Sequence, residues 1–270
     1  DAAGIVIEIG SEVTLFKPGD RVYYAGSITR PGCNSEYHLV DERIVGRMPQ
    51  QLSFGEAAAL PLTTITAWEA LFDRMQISPN PVDNTQRSIL IIGGAGGVGS
   101  IAIQLAKKVA GLKVIATASR DESRKWCLEM GADIWIDRRE KFRTELAKFD
   151  LTAVDYLLCC NDTDAYWENM ADIIAPQGKI CSIVETKRPL DLNLIKNKSV
   201  TFVWEFMFTR AMYQTADMQA QHELLNRVAE LVDRGILQTT MTENLGSLNA
   251  QNLANAHARL ESGETIGKLV

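Results

Sequence analysis

The stretch SILIIGGAGGVGSIAIQLAKKVAGLKVIATAS, residues 88–119, decides the fold. Ile89 to Ile92 form an apolar strand that runs into Gly93-Gly94-Ala95-Gly96-Gly97-Val98-Gly99. Strong helix formers follow, predicting a helix over Val98 to Val109, and then a second apolar strand, Lys113 to Ala118. Strand, glycine turn, helix and strand in that order make a dinucleotide-binding unit, with GxGxxG on Gly94, Gly96 and Gly99. The chemistry explains the spacing. Gly94 permits the tight turn, Gly96 lets backbone N–H groups approach a pyrophosphate, and Gly99 lets helix and strand pack closely. Gly97 and Val98 open the helix, whose N-terminus faces the anion. A lone GxGxxG also fits a purely structural turn, but here the flanking strands and helix are all present.

The end of the second strand separates NAD from NADP, because a carboxylate there accepts from the ribose hydroxyls whereas a small residue beside a base admits the 2′-phosphate. The chain reads Ala118-Ser119-Arg120. Ser119 can donate to phosphate, Arg120 and Arg124 can pair with it, and Arg138 and Arg139 follow the third strand within reach. Asp121 argues the other way, unless it lies in the first turn of the next helix, where the helix dipole favours it. The reading is NADPH.

Outward from this unit, strands and helices alternate from Ser88 to about Val203: helices over Glu122 to Met130 and Asp164 to Ile174, strands at DIWID, VDYLLCC, GKICSIV and SVTFVWEF. Continuously apolar strands alternating with helices predict a doubly wound parallel sheet covered on both faces, hence an α/β fold. Before it lie short alternating runs, AAGIVIEIG, RVYYAG and SEYHLVDE, broken by KPGD, which read as a small β-rich domain. Ser53 with Glu56 forms a capping box, and Pro61 divides two helical pieces joined at Leu60 to Thr63. Residues 78–86, SPNPVDNTQ, read as an exposed connection. Late in the chain Leu224, Leu225, Val228, Leu231 and Val232 fall at helical spacing, with Gly235 as the C-cap.

Composition narrows the partners. Lys plus Arg number 28 against 34 Asp plus Glu, a net charge of −6 mixed along the chain, which leaves no basic surface for nucleic acid or anionic membrane. A small-molecule substrate is expected instead. Five cysteines without CxxC spacing predict a reducing, cytoplasmic setting, and no apolar run approaches the ~20 residues of a membrane span. Asp1 opens directly onto a strand, so the natural start is expected to lie further upstream.

AAGIVIEIG with KPGDRVYY, GCNSEYHLVDERIVGRMPQQLSFGEAAALPLTTITAW, GGAGGVGS and the closing HARLESGETIGKLV, taken in order along the whole chain, resemble the medium-chain dehydrogenase/reductase family. That family holds zinc alcohol dehydrogenases and zinc-free quinone reductases. SVTFVWEFMFTRAMYQTADMQAQHELLN is similar to its zinc-type alcohol dehydrogenase-like subgroup. The resemblance implies a Rossmann dinucleotide-binding domain over residues 65–206 and a GroES-like catalytic domain from residues 1–64 and 207–270, with an upstream part absent. It also implies a homodimer joined edge to edge through the Rossmann sheets, for which SVTFVWEFMF supplies an apolar strand. Thr66, beside the helix joint, joins Gly94, Gly96, Gly97, Val98, Gly99, Ser119, Arg120, Arg124 and Arg138 as expected cofactor ligands.

A catalytic zinc needs three protein ligands and one open position. In zinc members a Cys ligand lies on the helix joint, which here reads Leu60-Pro61-Leu62-Thr63-Thr64, and only Cys33 occupies the region where a four-cysteine structural lobe follows RVYY. Cys33, Glu36 and His38 are the one close trio, on an expected turn and edge strand whose alternating faces keep them apart. His222 and His257 are read as solvated, and Cys159 and Cys160 as buried small hydrophobes near the cofactor. No metal is expected. The chemistry that follows is hydride delivery to a quinone or an α,β-unsaturated carbonyl, with hydrogen-bond donors meeting the oxygen charge. Thr63, Thr64, Thr66 and Tyr213 are candidate donors by position, each also fitting a structural role, and no catalytic acid is identified. The alternatives are a zinc-dependent alcohol dehydrogenase and a non-catalytic NADPH-binding sensor.

Overall fold

The structure, a computed structural model, describes residues 1–270. The chain divides into two compact units, one of Asp1–Ile65 with Phe206–Val270 and the other of Thr66–Glu205.

In the first unit β1 (Ala2–Ile5), β2 (Arg21–Tyr24) and β3 (Val45–Arg47) form an antiparallel sheet with β2 in the centre. Alternation puts Val22 and Tyr24 on one face, where they pack with Phe16 and Val45. The Ser53 capping box forms and starts α1 (Phe54–Ala58), whose last residue precedes Ala59 and Leu60. Pro61 then stands first in α2 (Pro61–Trp68), a position where its missing N–H costs no hydrogen bond. Thr63 and Thr64 therefore lie inside a helix rather than in the joint. One expected strand is absent: Ser35 to Val40 is irregular, with Ser35 N–H bonded to Cys33 O and Ser35 Oγ to Tyr37 O. These local bonds replace the ladder that SEYHLVDE was expected to join.

In the second unit the helix continues from Glu69 to Arg74 in wider π geometry. A 3-10 turn, Pro81–Asn84, interrupts the connection before β4 (Ser88–Ile92). The chain then runs through α3 (Gly97–Gln104), with a π extension to Val109, β5 (Lys113–Ala118), α4 (Asp121–Met130), β6 (Ile134–Asp137) and α5 (Phe142–Ala147). It continues with β7 (Val154–Cys159), α6 (Thr163–Ile173), β8 (Ile174–Ser182), α7 (Asn193–Lys196) and β9 (Thr201–Trp204). The six strands are parallel in the order β6-β5-β4-β7-β8-β9. The chain starts in the middle, winds outward to β6 and returns to β7, so the order reverses between β4 and β7. This is the doubly wound α/β sheet, and ligands of such sheets bind at the carboxyl ends of the strands where the order reverses. Leu90, Ile92, Ile115, Leu157, Trp167 and Ile180 belong to one buried cluster that holds the sheet against its helices.

The first unit resumes with α8 (Thr209–Tyr213), α9 (Ala220–Asp233), β10 (Met241–Glu243), α10 (Ala250–Glu261) and β11 (Lys268–Leu269), which pairs in parallel with β10. Gly235 follows α9 with φ +69°, the left-handed cap its position implied. The buried face of α9 lies against β3. Leu225 sits so close that a Cβ on Gly46 would lie 2.4 Å from its own, and Tyr23 donates to Leu225 O at 2.7 Å. His222 is part of this contact: it is 9% exposed, with Nδ1 2.6 Å from Val45 O and Nε2 2.9 Å from Asn226 Nδ2. The expectation of a solvated His222 was wrong, because the helix turns its imidazole toward β3. His257 lies on an exposed face.

Candidate functional site

β4, buried along its whole length, delivers the glycine turn to the point where the strand order reverses. Gly93 leaves the strand at φ +82°, its N–H bonded to Thr117 Oγ1 at 3.0 Å, while Cys160 N–H closes the adjoining strand end on Ile92 O. Two of the three GxGxxG glycines are required by packing alone. A Cβ on Gly99 would lie 2.2 Å from Gly93 O and 2.7 Å from Gly94 Cα, and one on Gly94 would lie 2.8 Å from Ala116 Cβ. Gly96 differs. Its backbone, φ −74° and ψ 174°, suits any residue, and an added Cβ would meet only Gly93 O at 3.5 Å. Gly96 caps α3, and the turn is pinned by Ser100 Oγ, which donates to Gly96 O at 2.7 Å and accepts from Trp126 Nε1 at 2.7 Å. The first N–H groups of α3, on Gly97, Val98 and Gly99, have no partner within the helix, which makes the turn an anion-receiving end.

The second cluster stands at the ends of β5 and β6. Ser119 follows β5, and Arg120 caps α4, its N–H bonded to Ser123 Oγ at 3.1 Å. Asp121 lies in the first turn of α4 with its side chain 85% exposed and accepts from Arg124 at 3.0 Å. The Arg124 guanidinium lies over the Trp135 ring, 4.0 Å from its centroid, and its buried Nε has no hydrogen-bond partner. Its NH2 is 3.7 Å from Asp137, which sits opposite Ala118 in the ladder. Arg139 grips Asp137 through Nε at 3.0 Å and NH2 at 2.6 Å, and with Arg124 nearby holds that carboxyl down to about 2. Arg138 is exposed beside it. Ser119, Arg120, Arg124 and Arg138 are thus brought to two adjacent strand ends. Asp137 was missed at the sequence level; its signal was a carboxylate closing the strand next to the one that reads the ribose.

The remaining candidates are scattered. Thr63 Oγ1 donates back to Leu60 O at 3.1 Å, Thr64 Oγ1 is buried without a partner, Thr66 is buried, and Tyr213 is 70% exposed. Cys33 Sγ donates to Asp1 O, and the His38 ring is spanned by Tyr24 Oη and Pro31 O, each at 3.0 Å. No three His, Cys, Asp or Glu side chains converge within Asp1–Val270 as a metal-holding group. All five cysteines are free thiols. Cys159 is fully buried, which pushes its thiol up, and Cys160 lies beside Gly93.

One further cluster escaped the sequence reading. Glu69, in the π stretch, and Glu205, just past β9, are 0% and 2% exposed and share Arg74, which donates to Glu205 at 2.8 Å and lies 3.6 Å from Glu69. Burial and the neighbouring Glu69 push Glu205 up to about 8, so Glu205 holds its proton at neutral pH.

A family model described as zinc-binding dehydrogenase matches residues 130–270. A zinc-type alcohol dehydrogenase-like protein of Staphylococcus aureus is 48% identical over 270 residues, covering 100% of this chain and 80% of the relative. The 2-methylene-furan-3-one reductase of Solanum lycopersicum is 29% identical over 277 residues, covering 100% of this chain and 62% of the enzyme. Among solved structures, a proposed zinc-dependent alcohol dehydrogenase from Rhizobium etli superposes with a TM-score of 0.94 at 51% identity, covering 100% of this chain and 78% of its own. Escherichia coli quinone oxidoreductase complexed with NADPH superposes with a TM-score of 0.80 at 26% identity, covering 99% and 80%. Rossmann sheet, glycine turn and these likenesses agree: the chain belongs to the zinc-type alcohol dehydrogenase-like branch of the medium-chain dehydrogenase/reductase family and is an oxidoreductase of that type.

Proposed function

We propose that this chain is an NADPH-dependent reductase that passes hydride to a quinone or an α,β-unsaturated carbonyl without a metal. The observation that carries the nucleotide half is Gly96. Neither packing nor backbone conformation requires glycine there, so its missing side chain is explained by close approach of a ligand to the backbone. Gly94 and Gly99 hold the turn, the N–H groups of Gly97 and Val98 face the pyrophosphate, and Ser119, Arg120, Arg124 and Arg138 receive the 2′-phosphate. Thr66 completes the cofactor set. Bound nicotinamide supplies a hydride from its C4 position.

For the acceptor, the ligand types that would polarise a simple carbonyl do not converge in this chain, which favours acceptors already electron-poor. Two relatives point the same way, one a furanone reductase and one a quinone oxidoreductase solved with NADPH. A homodimer formed through the edge strand β9 and a reducing, cytoplasmic setting for the five free thiols belong to the same reading. No helix is long and apolar enough to cross a membrane.

NADPH oxidation by quinones, enones and simple aldehydes, with and without a chelator, tests the proposal. Chelator-insensitive turnover of quinones or enones is expected. Activity abolished by chelation and restored by zinc would overturn the metal-free reading, and tight NADPH binding with no acceptor reduced would make the chain a sensor.

A further inference from the structure

We propose that Asp137 sets the cofactor preference of this chain, acting as a fixed negative counterweight to the arginines that receive the 2′-phosphate; the inference rests on the NADPH reading. Asp121 was the carboxylate to weigh against NADPH by sequence position, but the fold turns it outward at 85% exposure. Asp137 takes its place. It stands opposite Ala118, one residue before Ser119 and on the neighbouring strand, with only 14% of its side chain exposed.

Three features make its charge persistent and directed at this site. Arg139 holds it through paired hydrogen bonds, and its carboxyl stays ionised down to about pH 2. It reaches Arg124, 3.7 Å away, so the cation offered to a phosphate is already partly neutralised. Arg124 is held close to it by its place over the Trp135 ring and by its bond to Asp121. A phosphate entering beside Ser119 and Arg124 therefore meets the arginines with Asp137 among them, whereas the 2′-hydroxyl of NADH carries no charge for Asp137 to repel. The other charged groups beside Asp137 are Arg138 next to it in the chain and Glu145 of α5, which accepts from Asp137 N–H at 3.1 Å and is itself paired with Lys148.

The test is the ratio of dissociation constants, NADH over NADPH, measured by nucleotide fluorescence for the full chain and for Asp137→Asn, with adenosine 2′,5′-bisphosphate against 5′-AMP as a second pair of probes. Asparagine keeps an acceptor for Arg139 and loses the charge. The ratio is expected to rise roughly five- to tenfold, the scale for one unit charge several ångströms from a phosphate at a protein surface, and to shrink toward unity in high salt. Asp137→Glu is expected to restore the original ratio. A ratio that stays constant or falls in Asp137→Asn, with an unchanged melting temperature, overturns the proposal, since a residue that merely positions Arg124 would weaken NADPH binding when altered. Should Asp137→Asn not fold, Asp137→Ser carries the test by removing the same charge with a smaller side chain: the ratio then rises, and an unchanged or lower ratio overturns the proposal. The nucleotide reading fails separately. Wild-type protein that prefers NADH, while Asp137→Asn still moves the ratio toward NADPH, sinks that reading and leaves the counterweight standing.

Discussion

Gly96 and Gly99 look alike in the sequence and differ in the fold, which makes them a paired experiment. Gly99→Ala forces a Cβ to 2.2 Å from Gly93 O, so the turn must open, and a lower melting temperature is expected before any ligand is added. Gly96→Val brings its Cβ only to ordinary contact, 3.5 Å from Gly93 O. Its melting temperature is expected to match wild type, while NADPH binding weakens about tenfold, ~1.4 kcal/mol, because a side chain then stands where the pyrophosphate approaches. Calorimetry with and without nucleotide separates the two effects; a Gly96→Val protein that binds normally would show that no ligand uses that surface. The acid pair gives a second residue-scale prediction. Glu205 keeps its proton in the fold up to about pH 8 and releases it near the ordinary carboxylate value when unfolded. The native state therefore binds the extra proton between those limits, and stability falls as pH rises through that window. The urea midpoint is expected to decline from about pH 5 to about pH 8 in wild type and to flatten in Glu205→Gln, whose amide can donate to Glu69 without titrating. The glycine turn was legible because its signal is local, carried by seven consecutive residues. Glu69 with Glu205, and Asp137 with Arg124, were not, since the first pair meets only once the whole sheet is built and the second only when α4 packs beside β6.

At the scale of elements, the sheet strands declared themselves because both of their faces are buried and their apolar runs are unbroken, as in Ile89 to Ile92 and Leu157 to Cys159. SEYHLVDE failed for the converse reason. Its alternation matched a strand, but no partner strand lies beside it and its side chains bond locally, a fact of tertiary structure that alternation does not carry. The short helices α5, α7 and α8 also passed unread, each having too few turns to establish a helical period. One element end depends on a distant residue. α6 runs straight into β8 without a glycine cap, and Lys198 takes over the capping by donating Nζ to Ala171 O, Asp172 O and Ile174 O at 2.8, 2.8 and 2.9 Å. An ammonium there satisfies helix-terminal carbonyls and opposes the negative end of the dipole. Lys198→Met is expected to lower stability by about 1–2 kcal/mol, the net contribution of a few charge-assisted bonds at a half-exposed site. Chemical denaturation measures it, and the nucleotide affinity, which depends on the opposite end of the sheet, should not move.

For the whole molecule, the open question is what covers the outer edges of the six-stranded sheet. The two edges are unequal. β6 ends in Asp137-Arg138-Arg139, a charged finish that discourages another strand, whereas β9 reads Thr-Phe-Val-Trp with Trp204 46% exposed. An apolar edge with unpaired backbone groups is a template for strand addition, and the simplest partner is the same strand of a second copy. In the proposed homodimer, two β9 strands related by a twofold axis would pair antiparallel, leaving no further edge of this kind. Sedimentation at tens of micromolar is expected to show twice the 29.9 kDa of one chain. Trp204→Lys would put a charge on this apolar edge, and it is expected to give the monomer with little change in the far-ultraviolet circular dichroism. A wild-type monomer at that concentration would leave β9 exposed in solution, and the edge would then need cover from outside this chain.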